Sequence, residues 1–278
     1  MEGEVVSAAP AATPGTLHIV STPIGNLGDL STRAVEVLRS VQAILAEDTR
    51  HSRVLCERFD IRTALVAYHE HNEAAATPGF VRRLVAGESL ALISDAGTPL
   101  LSDPGARLVR AAIEAGVIVS PVPGASALLA ALAGAGLAAD RFTFFGFLER
   151  KGADRTTAIA EIAALRHTAV LYESPNRTAA TLADLAAVGA GARAAVVARE
   201  LTKQYEEFRR GTVAELAAYY GEHEPRGEIV IVVEGAIEAP VDEAALRGEA
   251  ESLRASGASA RDIQQALAAA GAPRNLAY

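Results

Sequence analysis

The sequence predicts an α/β protein built as two strand–helix blocks with a small helical extension at its C-terminal end. Three observations carry that expectation. Short, β-rich apolar runs alternate with segments of helical periodicity, the pattern of strands joined by crossover helices in mostly parallel sheets. Several of these runs end in Gly/Pro-rich turns. The 278 residues, 50% hydrophobic and 22% charged, suffice for two medium domains or one large one, and exclude disorder for most of the chain.

Residues 1–15, rich in Ala, Pro and Gly, are expected to form a disordered tail. In the first block, 16–136, strands are expected at 17–24, 43–46, 64–68, 90–94 and 117–122, with helices at 32–40, 52–59, 74–86, 106–115 and 125–135. Residues 134–140 read as a linker. The second block, 141–238, carries strands at 142–147, 169–172, 194–198 and 229–233 and helices near 156–165, 178–188 and 213–220. Residues 242–278 read as an amphipathic helical extension, with segments 243–255 and 260–270 joined by Ser256-Gly257-Ala258-Ser259. No internal repeat or heptad pattern is visible.

The composition excludes several classes. The single Cys56 rules out a disulfide framework and a cysteine-rich zinc site, and fits a reducing, cytoplasmic setting. The start M-E-G-E, with no basic residue before Arg33, lacks the positive region of a secretory signal. The uncharged stretch 115–139 is long enough to span a bilayer, but Pro121, Pro123 and Gly124 cut it, so a strand, a turn and a helix explain it better and no membrane association is expected. Neither lysine, Lys151 or Lys203, lies in a phosphate-binding G-x-x-x-x-G-K-[ST] loop. Leu128 replaces the second glycine that a G-x-S-x-G elbow around Ser126 would need. His69 and His71 have no third ligand nearby in sequence, so no metal site is expected.

The signal lies in four turns at strand ends. They are Thr22-Pro23-Ile24-Gly25, the pair Asp95–Pro99 and Ser102–Gly105, Val122–Ser126, and Glu173–Arg177. The carboxyl edge of an open α/β sheet forms the ligand crevice, and small residues there expose backbone groups. Such groups suit an adenosine with a neutral or zwitterionic tail better than a phosphate, because these turns are short of Lys and Arg. A nicotinamide-dinucleotide site competes, with Glu47 and Asp48 as the ribose-binding acids, although the first turn lacks the full glycine fingerprint.

The runs T-P-I-G-N-L-x-D at 22–29, A-E-D-T-R at 46–50, S-D-A-G-T-P-x-x-S-D-P-G at 94–105 and V-P-G-A-S-A at 122–127 closely resemble the tetrapyrrole-methylase superfamily of S-adenosylmethionine-dependent methyltransferases. F-F-G-F-L-E-R-K-G at 144–152, Y-E-S-P-N-R at 172–177, A-R-E-L-T-K at 198–203 and R-G-E-I-V-I-V-V-E-G at 226–235 are similar to its ribosomal-RNA branch. That branch methylates the ribose 2′-O of a cytidine in the decoding region of 16S rRNA. The resemblance implies a two-domain class III methyltransferase fold, S-adenosylmethionine in the cleft between domains, and a homodimer acting on 16S rRNA in the small ribosomal subunit. It implies cofactor contacts from Pro23, Ile24, Gly25, Asp95, Ala96, Gly97, Thr98, Ser126, Tyr172, Glu173, Ser174, Arg199, Glu200, Leu201, Glu228 and Ile229. Glu149 stands where the family usually has a proline. The family's C-terminal piece often continues past a residue like Tyr278, so the chain is expected to be truncated.

Methyl transfer to a ribose hydroxyl needs in-line alignment and removal of a proton. The candidate groups are Glu200 with Lys203, three residues apart, and Asp103 or Asp95 as alternative bases. RNA contact needs cations and stacking faces. Candidates are Arg50, His51, Arg53 and Arg58, then Arg150, Lys151 and Arg155 on a loop after Phe144, Phe145 and Phe147, with Arg177 beyond. Arg261 and Arg274 give the helical extension a possible docking role. A tetrapyrrole C-methylase and a non-catalytic nucleotide-binding module remain alternatives. The net charge of -8 does not exclude RNA, because residues 206–251 hold twelve acids and four bases and so contain the whole excess. That acidic segment is expected to face away from phosphate.

Overall fold

A computed structural model describes residues 13–236 and 243–269. The chain divides into two compact units, 1–235 and 236–278. The expected tail (but for 13–15), the linker to the extension, Arg274 and Tyr278 lie outside the described residues.

The larger unit holds two five-stranded sheets. The first comprises β1 (Thr16–Val20), β2 (Ala43–Ala46), β3 (Leu65–Ala67), β4 (Leu90–Ile93) and β5 (Ile118–Val122), all parallel, in the order β3-β2-β4-β1-β5. β2 and β4 are buried at every position, as expected of strands covered on both faces. The helices α1 (Thr32–Ser40), α2 (Thr49–Arg58), α3 (Glu73–Val85) and α4 (Ala106–Glu114) connect them. Ser31 caps α1 by accepting from the Ala34 N–H at 3.1 Å. Asp48 caps α2, so that helix starts three residues before the sequence pattern indicated. The first strand ends at Val20 rather than 24, because the chain turns into the loop at Thr22.

Strand order fixes where a ligand site forms. β4, β1 and β5 lie side by side and parallel, so their C-terminal ends emerge together and their turns adjoin.

The second sheet comprises β6 (Phe142–Phe147), β7 (Thr168–Glu173), β8 (Ala194–Arg199), β9 (Glu207–Thr212) and β10 (Ile229–Val233), in the order β6-β7-β10-β8-β9. Only β6 and β7 are parallel; the other three pairings are antiparallel, which corrects the expectation of a mostly parallel sheet. β9 is absent from the sequence reading. Its run E-F-R-R-G-T has one large apolar residue, and it holds as an edge strand through backbone pairing with β8 and Glu207 paired to Arg199 and Arg209. α6 (Ala153–Ala164), α7 (Pro175–Leu185) and α8 (Val213–Glu222) cover one face through a core that includes Ile162, Leu171, Leu182, Val197 and Ile231. α6 and α7 each begin three residues earlier than expected, α7 on a proline at its first position.

The other face is covered by α5 (Ala127–Ala135), whose Leu128, Ala131, Leu132 and Ala135 pack on Val170, Val196, Val230 and Val232. Sequence patterning assigns this helix to the first block, yet its apolar partners belong to the second sheet. At about 25 cal/mol per Å² of apolar area, such burial ties the two sheets together. The smaller unit contains α9 (Glu243–Ala255) and α10 (Ala260–Ala269).

Candidate active site

Backbone pairing locks the first-sheet turns to one another. Thr22 and Gly97 exchange both N–H···O bonds, at 2.8 and 3.0 Å. The Thr98 hydroxyl donates to the Ala125 carbonyl at 3.1 Å and lies 3.0 Å from the Ser21 hydroxyl. Gly97 has φ +79°, and a Cβ there would sit 3.2 Å from Ile24, so the close approach of these turns requires glycine. The next turn holds Leu100 and Ser102 at φ +76° and +70°, backbone strain of the kind that gathers at functional sites.

The second sheet contributes by register. Glu173 ends β7 opposite Ile229, and Ile229 pairs with Arg199 at the end of β8. Glu173, Glu228 and Glu200 therefore gather at one edge. Between this edge and the first-sheet turns lies a cavity of about 490 Å³. Of the expected contacts, Ile24, Asp95, Ala96, Gly97, Thr98, Ser126, Tyr172, Glu173, Ser174, Glu228 and Ile229 line it, together with Asp103. Pro23 and Gly25 instead line an adjoining cavity of about 200 Å³, which shares Asp95. Arg199 turns to Glu207 at 2.6 Å, Leu201 is buried in the core beneath α5, and Glu200 stands behind the cavity wall, accepting from the Glu228 N–H at 3.2 Å and from Lys203.

The cavity carries an acidic wall. Parallel β2 and β4 place Glu47 beside Asp95, and the Asp48 N–H donates to Asp95 Oδ1 at 3.0 Å. Burial pushes the Glu47 carboxyl up, and the charges of Asp95, Asp103 and Glu70 push it further. Burial likewise raises Asp103, reinforced by Asp95 and opposed by a hydrogen bond from Ser94. Opposite, Ser126 caps α5, so the helix N-terminus faces the cavity. Tyr172 accepts a hydrogen bond from the Leu128 N–H at 3.2 Å, which ties that terminus to β7. Glu173 is a buried carboxylate with full satisfaction: Thr181 donates at 2.6 Å, the Ser174 N–H at 2.8 Å, and Arg177 lies at 3.2 Å.

Lys203 is a clamp. Its ammonium lies 2.9 Å from Glu200 and 3.0 Å from Glu228. Burial alone lowers its pKa, but the hydrogen bonds to Glu200 and Glu228 outweigh burial and raise it. Its stem fills the space beside Gly25, where a Cβ would fall 2.4 Å from Cγ.

The expected cationic residues separate into two groups. Arg155 is spent on Asp184 and Thr181, and Arg177 on Glu173 and the Leu148 carbonyl. Arg50 forks onto Asp48 and holds that carboxyl well below its usual range. Among the described residues, Arg53, Arg150 and Lys151 are exposed and have no ion-pair or hydrogen-bond partner. Arg261 is also exposed. The acidic segment does not lie wholly apart, since Glu228 stands on the cavity rim.

Sequence reasoning named Glu47 only for the competing dinucleotide site and Ser102 and Pro175 only as members of the strand-end turns, missed Leu101, Ala127 and Val230 as lining residues, and read Phe147 only as a stacking group. The signal for Glu47 was its place immediately after a buried strand. Among the described residues no cluster could hold a metal ion, and no helix is long and apolar enough to cross a membrane.

Residues 16–217 match the model of the Tetrapyrrole (Corrin/Porphyrin) Methylases. The chain is 53% identical over 227 residues to the Ribosomal RNA small subunit methyltransferase I of Xylella fastidiosa, covering 81% of this chain and 83% of that protein. It is 47% identical over 259 residues to the protein of the same name from Synechocystis, covering 91% and 92%. Among solved structures, the uroporphyrin-III C-methyl transferase from Thermus thermophilus complexed with S-adenyl homocysteine superposes with a TM-score of 0.58 at 19% identity, over 79% of this chain and 97% of that one, a likeness of fold.

Proposed function

The chain belongs to the tetrapyrrole (corrin/porphyrin) methylases and, within them, to the ribosomal RNA small subunit methyltransferase I family, and from that premise we propose that it methylates small-subunit rRNA using S-adenosylmethionine. The observation that carries the reading is the cavity between the two sheets, with carboxylates on one wall and a helix N-terminus on the other. The residues fit the cofactor. A cavity of about 490 Å³ lies within the ligand-pocket range of about 300–1,000 Å³. Asp95, Asp103 and Glu47 suit its cationic groups, the N-terminus of α5 suits its carboxylate, and Gly97 leaves backbone open to close approach.

S-adenosylmethionine supplies a methyl group activated by its sulfonium. The protein aligns the acceptor oxygen and takes up its proton. Asp103 is the proton acceptor: it lines the cavity and burial raises its pKa toward the working range of a general base. Lys203, held protonated between two carboxylates, fixes the Glu200 and Glu228 side of the site. Of the cationic residues expected to meet RNA, Arg53, Arg150 and Lys151 are available to it.

The acceptor is the ribose 2′-O of a cytidine in the decoding region of 16S rRNA, and the enzyme is a cytoplasmic homodimer; the eight-motif resemblance supports these finer assignments. Nuclease digestion of methylated 30S subunits followed by mass spectrometry tests the acceptor. A 2′-O-methylcytidine is expected, and a base-methylated nucleoside overturns it. Light scattering during size exclusion tests the dimer, which a monomeric mass would overturn.

A further inference from the structure

The cavity between the sheets shares a wall with a second, open groove of about 860 Å³, and that wall is formed by Phe147 and Ser174. Phe147 is 58% exposed, unusual for a large aromatic at a strand end. A bulge sets its direction. The β6–β7 register shifts between Phe144 and Phe147, and Gly146 in between has φ +61°. A Cβ on Gly146 would stand 3.0 Å from the Ser102 hydroxyl, so the bulge presses against the strained turn of the first sheet. Bulges re-aim side chains beside active sites. Here the Phe147 ring rests edge-on against Tyr172, 5.5 Å between centroids, and leaves its remaining surface to solvent.

The groove beyond Phe147 holds a cation with no carboxylate bound to it. Arg150, Arg155 and Arg177 line it against Glu149 and Asp184. Arg155 neutralises Asp184 and Arg177 serves Glu173, which leaves the Arg150 guanidinium unpaired, with exposed Lys151 next in sequence. A π-face on the rim of the cofactor cavity with an unpaired cation behind it matches one nucleotide: a base to stack, and a phosphate to neutralise.

We propose that Phe147 is the platform on which the base of the acceptor nucleotide stacks, with Arg150 taking the adjoining phosphate, so that the ribose is presented at the mouth of the cofactor cavity. This rests on the reading of the protein as an rRNA methyltransferase and names the substrate subsite of that reaction. A stacked base resists displacement wherever the ring is aromatic, because every base has a π-face.

The test compares wild-type protein with Phe147→Ala, Phe147→Leu and Phe147→Trp. It measures methyl transfer to 30S subunits and calorimetric affinity for S-adenosylmethionine. Loss of stacking predicts a rise in KM for the 30S subunit of about 10- to 100-fold in the Ala and Leu variants, rescue by Trp, and cofactor affinity within about twofold of wild type. Unchanged KM in the Ala variant, or rescue by Leu equal to that by Trp, overturns the proposal. Cofactor affinity falling as far as RNA affinity also overturns it, since the Phe147 ring would then hold the cofactor rather than the base. Absence of transfer by the wild-type protein refutes the parent reading instead.

Discussion

Replacing Lys203 by Met separates a clamp from a catalytic base. The substitution deletes the ammonium but keeps an unbranched stem against Gly25, so it opens little space. Two ionic contacts disappear. The bond to Glu200, between side chains 28% and 20% exposed, is a charge-assisted hydrogen bond worth about 1.5–3 kcal/mol. The bond to Glu228, itself 72% exposed, contributes about 0–1 kcal/mol. The expected loss is therefore about 1.5–4 kcal/mol, which at ~2–4 °C per kcal/mol lowers Tm by roughly 3–16 °C. The loss falls on a turn that already holds Glu200 and Thr202 at φ +50° and +65°.

Because the Lys203 pKa is raised on folding, its contribution is complete below the unfolded value of about 10.4 and is lost as pH rises through the folded value. Glu200 is lowered by its hydrogen bond with Lys203, so the difference between wild type and variant also narrows as pH falls below about 4. Between these limits it stays constant. Thermal unfolding across pH, paired with kcat, reads both quantities. The clamp predicts kcat within about tenfold of wild type. An unchanged Tm with kcat reduced by about 10³-fold, the scale of general-base loss, refutes the reasoning.

Three further perturbations have distinct signatures. Asp103→Asn abolishes the rise of kcat with pH through the raised Asp103 pKa; because the native state binds that proton more tightly than the unfolded chain, the variant also gains stability above that pKa, and a wild-type pH profile counts against the assignment. Glu173→Ala leaves Arg177 without its buried partner and Thr181 without an acceptor, which costs about 3–5 kcal/mol in denaturant unfolding; a loss below about 1 kcal/mol contradicts the account of that carboxylate. Arg150→Glu combined with Lys151→Glu raises KM for the 30S subunit while sparing S-adenosylmethionine affinity, and lowers the slope of log affinity against log salt by about 0.7–0.9 for each phosphate contact removed; an unaltered slope removes the pair from the RNA face.

The strands of the first sheet were legible because each is a short apolar run, β2 and β4 buried along their whole length, and their shared direction follows from the crossover helices. The turns were legible because Gly, Pro and acids cluster at strand ends. The second sheet's directions were not, since antiparallel register is set by partners distant in sequence: β10 pairs with both β7 and β8. The site inherits this. Spacing brings Glu200 to Lys203, but Glu228 joins them from 25 residues away through that register. Likewise, charge clustering cannot tell Arg150 from Arg155, because the partner of Arg155, Asp184, comes from α7, 29 residues away in sequence.

The central claim is that the cavity between the sheets transfers methyl groups to small-subunit rRNA. It is tested most directly by supplying methyl-labelled S-adenosylmethionine with 30S subunits, isolated 16S rRNA or uroporphyrinogen. Label is predicted in the rRNA and in no tetrapyrrole. Label in the tetrapyrrole alone, or transfer to none of the three, would contradict it.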